Sequence, residues 1–153
     1  MDFNIILFEG TDSVKFGMTH EEIQAILGVQ PELFKKNEFD LHMTENYRNI
    51  CHVFYDTSGC VAFEFYAPSQ VFFNGVQLMG EQRIAVEPLF HNLKGYESDA
   101  NTDDGLMGLS VYNRDFSLYV LDGHVESVYI CRKGYFAEQF EYYKKKYAEK
   151  FNK

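Results

Sequence analysis

Tryptophan is absent from this 153-residue chain, and proline and cysteine occur 3 times each. Cys51, Cys60 and Cys131 are an odd number with no CxxC spacing, which argues against a disulfide framework and against a four-cysteine zinc site. No apolar run approaches the ~20 residues that a membrane helix needs. Residues 1–10, MDFNIILFEG, lack the basic region of a secretory leader. The expectation is a cytoplasmic protein with no membrane association. Positive charge is also scarce: 14 Lys and Arg against 23 Asp and Glu leave a net charge of −9. Phosphate backbones repel such a surface, so nucleic acid is not an expected partner, whereas a basic protein or a cation is favoured. The motifs of phosphate, dinucleotide and zinc chemistry are missing too: there is no GxGxxG, P-loop, GxSxG or HExxH. The five histidines, His20, His42, His52, His91 and His124, show no metal-ligand spacing and read as structural. No cofactor is expected, and the balance leans away from an enzyme.

Aromatic residues are plentiful, with 15 Phe and 11 Tyr, a composition that favours strands. The chain is about one domain long, residues 1–153. Its most informative stretch is VKFGMTHEEIQAILG, residues 14–28. Thr19 followed by Glu22 is a capping box, and Met18 with Ile23 forms a hydrophobic staple across the cap. Ile23, Ile26 and Leu27 share a helical face, and Gly28 supplies a left-handed stop.

Around this helix the pattern is mostly that of strands. Residues 3–9 read as a first strand. Residues 39–43, 47–55 and 60–66 read as three more, the last two joined by a turn at 56–59. Asn74-Gly75 between apolar runs is a strong hairpin signal. Residues 81–94 read as a second helix in which Pro88 is awkward. Residues 96–105 read as an acidic loop, and 106–112, 116–121 and 124–131 as three strands. Residues 135–152 read as a third helix with a stripe of Phe136, Phe140, Tyr143, Tyr147 and Phe151.

Residues 14–66 and 76–131 therefore repeat one order, a helix followed by three antiparallel strands. The expected class is α+β: two such repeats forming an antiparallel sheet with helices on one face, plus the C-terminal helix. The stretch 14–31 resembles the helix-start motif of the SmpA/OmlA (BamE) group of small modules, through Gly17, Met18, Thr19, Glu22, Ile23, Leu27, Gly28 and Pro31. The second half keeps Gly80 and Leu93 but no Met-Thr pair. The tandem order is similar to that of the β-lactamase inhibitor protein group. The resemblance implies a helix-plus-strands repeat whose open sheet face binds another protein. No lipidated cysteine is present, so an outer-membrane role is not implied.

Taking 56–59 as a plain four-residue turn puts Ile50, His52, Phe54, Val61, Phe63 and Phe65 on the face toward the helices. Cys51, Val53, Tyr55, Cys60, Ala62, Glu64 and Tyr66 fall on the other. This second face is either covered by the C-terminal helix or a binding surface. The second half adds Tyr119 and Glu126, placed side by side by a two-residue turn at Asp122-Gly123. The candidate protein-binding residues are thus Tyr55, Glu64, Tyr66, Tyr119 and Glu126, suited to a basic partner. An inhibitor or immunity-type protein is the concrete expectation. The alternatives are a small-ligand or cation-binding module, or an enzyme with a spatially assembled site. A weak cation candidate is the loop oxygens of Asp99, Asn101 and Asp103. Against it, the glycine falls one position late for a calcium loop, and Ser110 stands where Glu is needed.

Overall fold

The computed structural model describes residues 1–101 and 106–152. Its first half contains β1 (Asp2–Ile6), β2 (Gly10–Thr11), α1 (His20–Leu27), β3 (Glu32–Phe34), β4 (Thr44–Tyr47), β5 (Cys51–Asp56) and β6 (Gly59–Tyr66). The second half repeats the order with β7 (Gln70–Phe73), β8 (Val76–Gln77), α2 (Arg83–His91), β9 (Glu97–Asn101), β10 (Leu106–Val111), β11 (Phe116–Leu121) and β12 (His124–Cys131). Helix α3 (Tyr135–Phe151) closes the chain. The fold is α+β, as its alternation of helix and strand periods implies.

The local signals behave as their chemistry requires. Thr19 Oγ1 accepts a hydrogen bond from the Glu22 N–H, and Glu22 Oε1 accepts one from the Thr19 N–H, each at 3.2 Å. Helix α1 buries Ile23 and Leu27 and ends at Gly28, whose φ of 75° suits a residue without Cβ. Asn74 and Gly75 both take positive φ, the turn that lets β7 and β8 pair tightly. Pro88 sits inside α2, which is short and begins at Arg83.

Eight strands form one antiparallel sheet in the order β3-β4-β5-β6-β12-β11-β10-β9. The two halves meet at β6 and β12, and this ladder is self-complementary. Tyr66 stands opposite Ser127, Glu64 opposite Tyr129, and Ala62 opposite Cys131. Both halves carry a bulge at the same place. Tyr55 pairs with Cys60 and Phe54 with Ala62, leaving Val61 extra; Val120 pairs with Val125 and Tyr119 with Ser127, leaving Glu126 extra. Both helices are also tied to the sheet in the same way. Gly17 N–H donates to Cys60 O at 2.7 Å and Gly80 N–H to Val125 O at 2.9 Å. Gly59 has φ 119°, and a Cβ there would lie 2.7 Å from Gly17 O, so this close approach requires glycine.

A second sheet, β2-β1-β7-β8, joins the N-terminal strands of the halves through a parallel β1–β7 pair. It shares one core with α1, α2 and the inner face of the large sheet. Phe3 packs on Phe65 with ring centroids 4.6 Å apart, and Phe73 on Phe116 at 5.0 Å. Helix α3 lies on the opposite, outer face, where Tyr135 is buried with Val61, Ala62 and Cys131.

Four expectations change. Each repeat has four sheet strands rather than three, because β3 and β9 add an edge strand to each. Residues 39–43 are a loop rather than a strand: Phe39 docks edge-on to Tyr147 at 4.9 Å, whereas Leu41 and Met43 are exposed. The acidic segment contributes β9, in which Asp99 is an exposed strand residue. Asp103 lies outside the described residues, and among those described no group of three His, Cys, Asp or Glu could hold a metal ion. The face assignment of the first hairpin is half reversed. The extra residue at Val61 moves Cys51, Val53 and Tyr55 to the same inner face as Phe63 and Phe65.

Candidate functional site

Strand pairing builds a continuous line of residues across the outer face. Glu97 opposes Ser110, which opposes Ser117, then Tyr129, Glu64, His52, Asn46 and Glu32. The neighbouring line on the inner face runs Leu109, Leu118, Val128, Phe65, Cys51 and Tyr47. One backbone thus carries a polar and aromatic line on one side and an apolar line on the other, as period-2 alternation demands.

Glu64 sits near the centre of the outer line. Its carboxylate lies 3.3 Å from Lys36 Nζ and 3.5 Å from His52 Nδ1. Burial pushes this carboxyl up, but His52 and Lys36 together outweigh burial and hold it below the usual carboxylate range. Beyond that long contact with Glu64, His52 Nδ1 has no hydrogen-bond partner among the described residues, and its ring is edge-on to Phe34 at 5.1 Å and to Tyr66 at 5.2 Å. Tyr66 donates its hydroxyl to Asn46 Oδ1 and to Tyr47 O, which pins the ring over β4. Tyr119 is half-buried, and burial followed by the charge of Glu64 raises its phenol.

Of the five sequence-derived candidates, Glu64, Tyr66 and Tyr119 share this outer face. Glu126 occupies the bulge position that Val61 holds in the first half. Val61 lies under α3, whereas Glu126 is exposed; the residue opposite Tyr119 is Ser127 rather than Glu126. Tyr55 is separated from the others. It is 5% exposed and belongs to the inner core, so it cannot anchor a partner on the outer face.

The C-terminal helix covers part of this face. Tyr135 and Phe136 pack beside Phe54, Ala62 and Tyr129, and the helix then leaves the sheet to meet the loop before β4. Tyr142 donates to Phe39 O at 2.6 Å, Tyr143 to Asp40, and Lys150 to Glu38 at 2.7 Å. A cavity of about 340 Å³ remains between helix and loop, lined in part by Asp40, His42, Phe54, Gln139 and Tyr142. The stripe expected at Phe136 to Phe151 is only partly seated: Phe136 and Tyr143 are seated, with Tyr135, Gln139 and Tyr142 beside them, whereas Phe140, Tyr147 and Phe151 are exposed.

A second polar group lies inside, and sequence reasoning missed it. Glu45 on β4 is 3% exposed, yet it is an acid on the inner face. Its Oε1 accepts from Tyr47 Oη at 3.1 Å and from Tyr55 Oη, and its Oε2 lies 3.1 Å from His20 Nδ1. The His20 ring stacks on Tyr55 with centroids 3.9 Å apart. Burial, followed by Glu45, pushes both phenols well up, so they remain donors. An open cleft of about 520 Å³ lies above, lined by His20, Gln24, Leu33, His42, Met43 and Glu45 among others. The available signal was parity: in the strand TENY, Glu45 must share a face with Tyr47. Burial also pushes the thiols of Cys51, Cys60 and Cys131 well up, which keeps them protonated and poor nucleophiles.

Comparison with family models, with curated proteins and with solved structures gives no match for this chain. No described helix is long and apolar enough to cross a membrane.

Proposed function

We propose that the protein is a non-enzymatic binding domain that holds a basic protein against the outer face of its large sheet. The observation that carries this reading is the outer face itself, where Tyr66, Tyr119 and Tyr129 lie among polar side chains from both halves and α3 packs beside Phe54, Ala62 and Tyr129. Tyrosines that are half-buried and flanked by polar side chains suit a partly wet interface. The acids of the line already have cations: Glu32 meets Arg48 at 2.6 Å, Glu97 meets Arg114 at 3.2 Å, and Glu64 meets Lys36. The Glu32 and Glu97 pairs are exposed and contribute little stability, so a partner's cations can replace them. The net charge of −9 acts at longer range, favouring encounter with a basic surface. An inhibitor or immunity role fits this surface, and so does the resemblance of residues 14–31 to the SmpA/OmlA modules. The protein acts in the cytoplasm on this reading.

The test is capture from the native cell with four immobilised proteins: the parent, Tyr66→Ala, Tyr119→Ala and the distant Ile84→Ala. The expected result is a basic protein that is retained by the parent and by Ile84→Ala. The two tyrosine variants should weaken its binding by about 2 kcal/mol or more if these are the hot spots. Equal capture by all four refutes the outer-face reading.

A further inference from the structure

The second half serves as an internal control for the first. Val53 and Leu118 hold equivalent places, opposite Phe63 and Val128. Glu45 pairs with Val53 and Leu109 with Leu118, so Glu45 corresponds to Leu109. By the same ladders Tyr47 corresponds to Val111, and Tyr55 to Val120. His20 follows Gly17 by three residues as Arg83 follows Gly80, and Arg83 turns to Glu87 at 2.6 Å instead of to the core. One half therefore builds this corner from aliphatic side chains and the other from a buried acid, two phenols and an imidazole. The fold does not require the polar version. Burying a carboxylate is costly, and hydrocarbon of similar volume serves at least as well for stability.

We propose that the cleft over Glu45 binds an organic cation, an ammonium or guanidinium group on an aliphatic stem, which displaces the His20 ring from the carboxylate. Three features set the ligand class. Among the described residues no Lys or Arg pairs with Glu45, whose partners are two phenols and an imidazole. The His20 side chain is 56% exposed, so it can swing outward while the rest of the group stays in place. Leu33 and Met43 are exposed apolar walls for a stem. At the rim, Gln24 Nε2 donates to Gln30 Oε1 at 2.7 Å, and these amides can accept from the remaining N–H groups of the cation. The cleft opens beside α1, on the opposite side of the sheet from the outer-face tyrosines, so the two sites stand or fall separately.

The cation can belong to a free primary amine or to an arginine side chain of another protein, and the probes distinguish these sources. Protein with isotope-labelled His and Tyr is titrated at neutral pH with n-butylammonium and with N-acetylarginine amide, and with n-butanol as the neutral control. Both cations should shift the ring signals of His20 and Tyr55 saturably, and n-butanol should not. Tighter binding of N-acetylarginine amide assigns a protein side chain; tighter binding of n-butylammonium assigns a free amine. Glu45→Gln keeps the shape and should weaken binding about tenfold or more, because a charge-assisted contact is lost. His20→Ala should tighten it several-fold by removing the competitor. The triple variant Glu45→Leu, Tyr47→Phe, Tyr55→Phe, which imitates the second half, should stay folded and lose binding. Equal binding by Glu45→Gln, equal shifts with n-butanol, or no His20 response to either cation overturns the proposal. Glu45→Gln decides the matter by itself if the triple variant fails to fold.

Discussion

The two halves share an element order, a bulge position, a helix tether and a self-complementary ladder, yet they spend their core positions differently. The second half is aliphatic where the first places Glu45, Tyr47 and Tyr55. The outer faces differ in the same direction: Glu64 of the first half corresponds to Tyr129 of the second, each opposite the other. A repeated framework separates what the fold needs, present twice, from what is present once. Polar groups that occur once and are buried are the places to look for function.

The largest effect is expected from giving the second half the acid without its partners. Leu109→Glu places a carboxylate beside Val111 and Val120, which offer no donors. It should destabilise the protein by about 3–5 kcal/mol, as an uncompensated buried charge does. Urea denaturation measures this. A loss under about 1 kcal/mol would mean that the corner admits water or moves, and that the second half is a poor control for the first.

A smaller effect comes from the helix starts. Thr19 caps α1 with its side chain, whereas Gln82 at the corresponding position makes no such bond to α2. Thr19→Ala should therefore cost roughly 0.5–2 kcal/mol, and Gln82→Ala should stay within about 0.5 kcal/mol of the parent. Thermal melts of the two variants check the difference. Matching losses would remove the asymmetry between the helices.

The smallest expected effect is on the acid limb of the stability curve. The Glu64 carboxyl is held below its ordinary range once His52 and Lys36 outweigh burial. A depressed folded-state pKa contributes stability above the unfolded-state value and loses it as pH falls through the folded one. Glu64→Gln should therefore flatten the loss of stability on acidification below the usual carboxylate range. Tyr129→Phe, its counterpart, should leave that slope unchanged. Denaturation at a series of acidic pH values reads both slopes.

Much of the local structure was legible in the chain. Thr19, Glu22 and Gly28 mark a helix because capping is a matter of adjacent backbone groups. Asn74-Gly75 marks a hairpin because few residues accept two positive φ angles. The repeated order of elements was legible too. The faces were not. A bulge at Val61 is one unpaired residue with no local signature, and it reversed the assignment of β5, carrying Tyr55 from the expected binding surface into the core. The alternation of Phe39, Leu41 and Met43 resembled a strand, but Phe39 packs on α3, over a hundred positions away in the chain, while Leu41 and Met43 stay exposed.

The sequence by itself determined the elements whose causes are local: caps, turns, the periodicity of strands and helices, the excess of acid over base, and the repeat of one unit after another. Tertiary structure alone decided which residues meet. It set β6 against β12, placed Glu64 opposite Tyr129, and closed His20, Glu45, Tyr47 and Tyr55 into one group from α1, β4 and β5. The physical reason is range. Capping and turn energies act within a few bonds, whereas strand register and the burial of a carboxylate depend on contacts between segments that only the folded chain brings together.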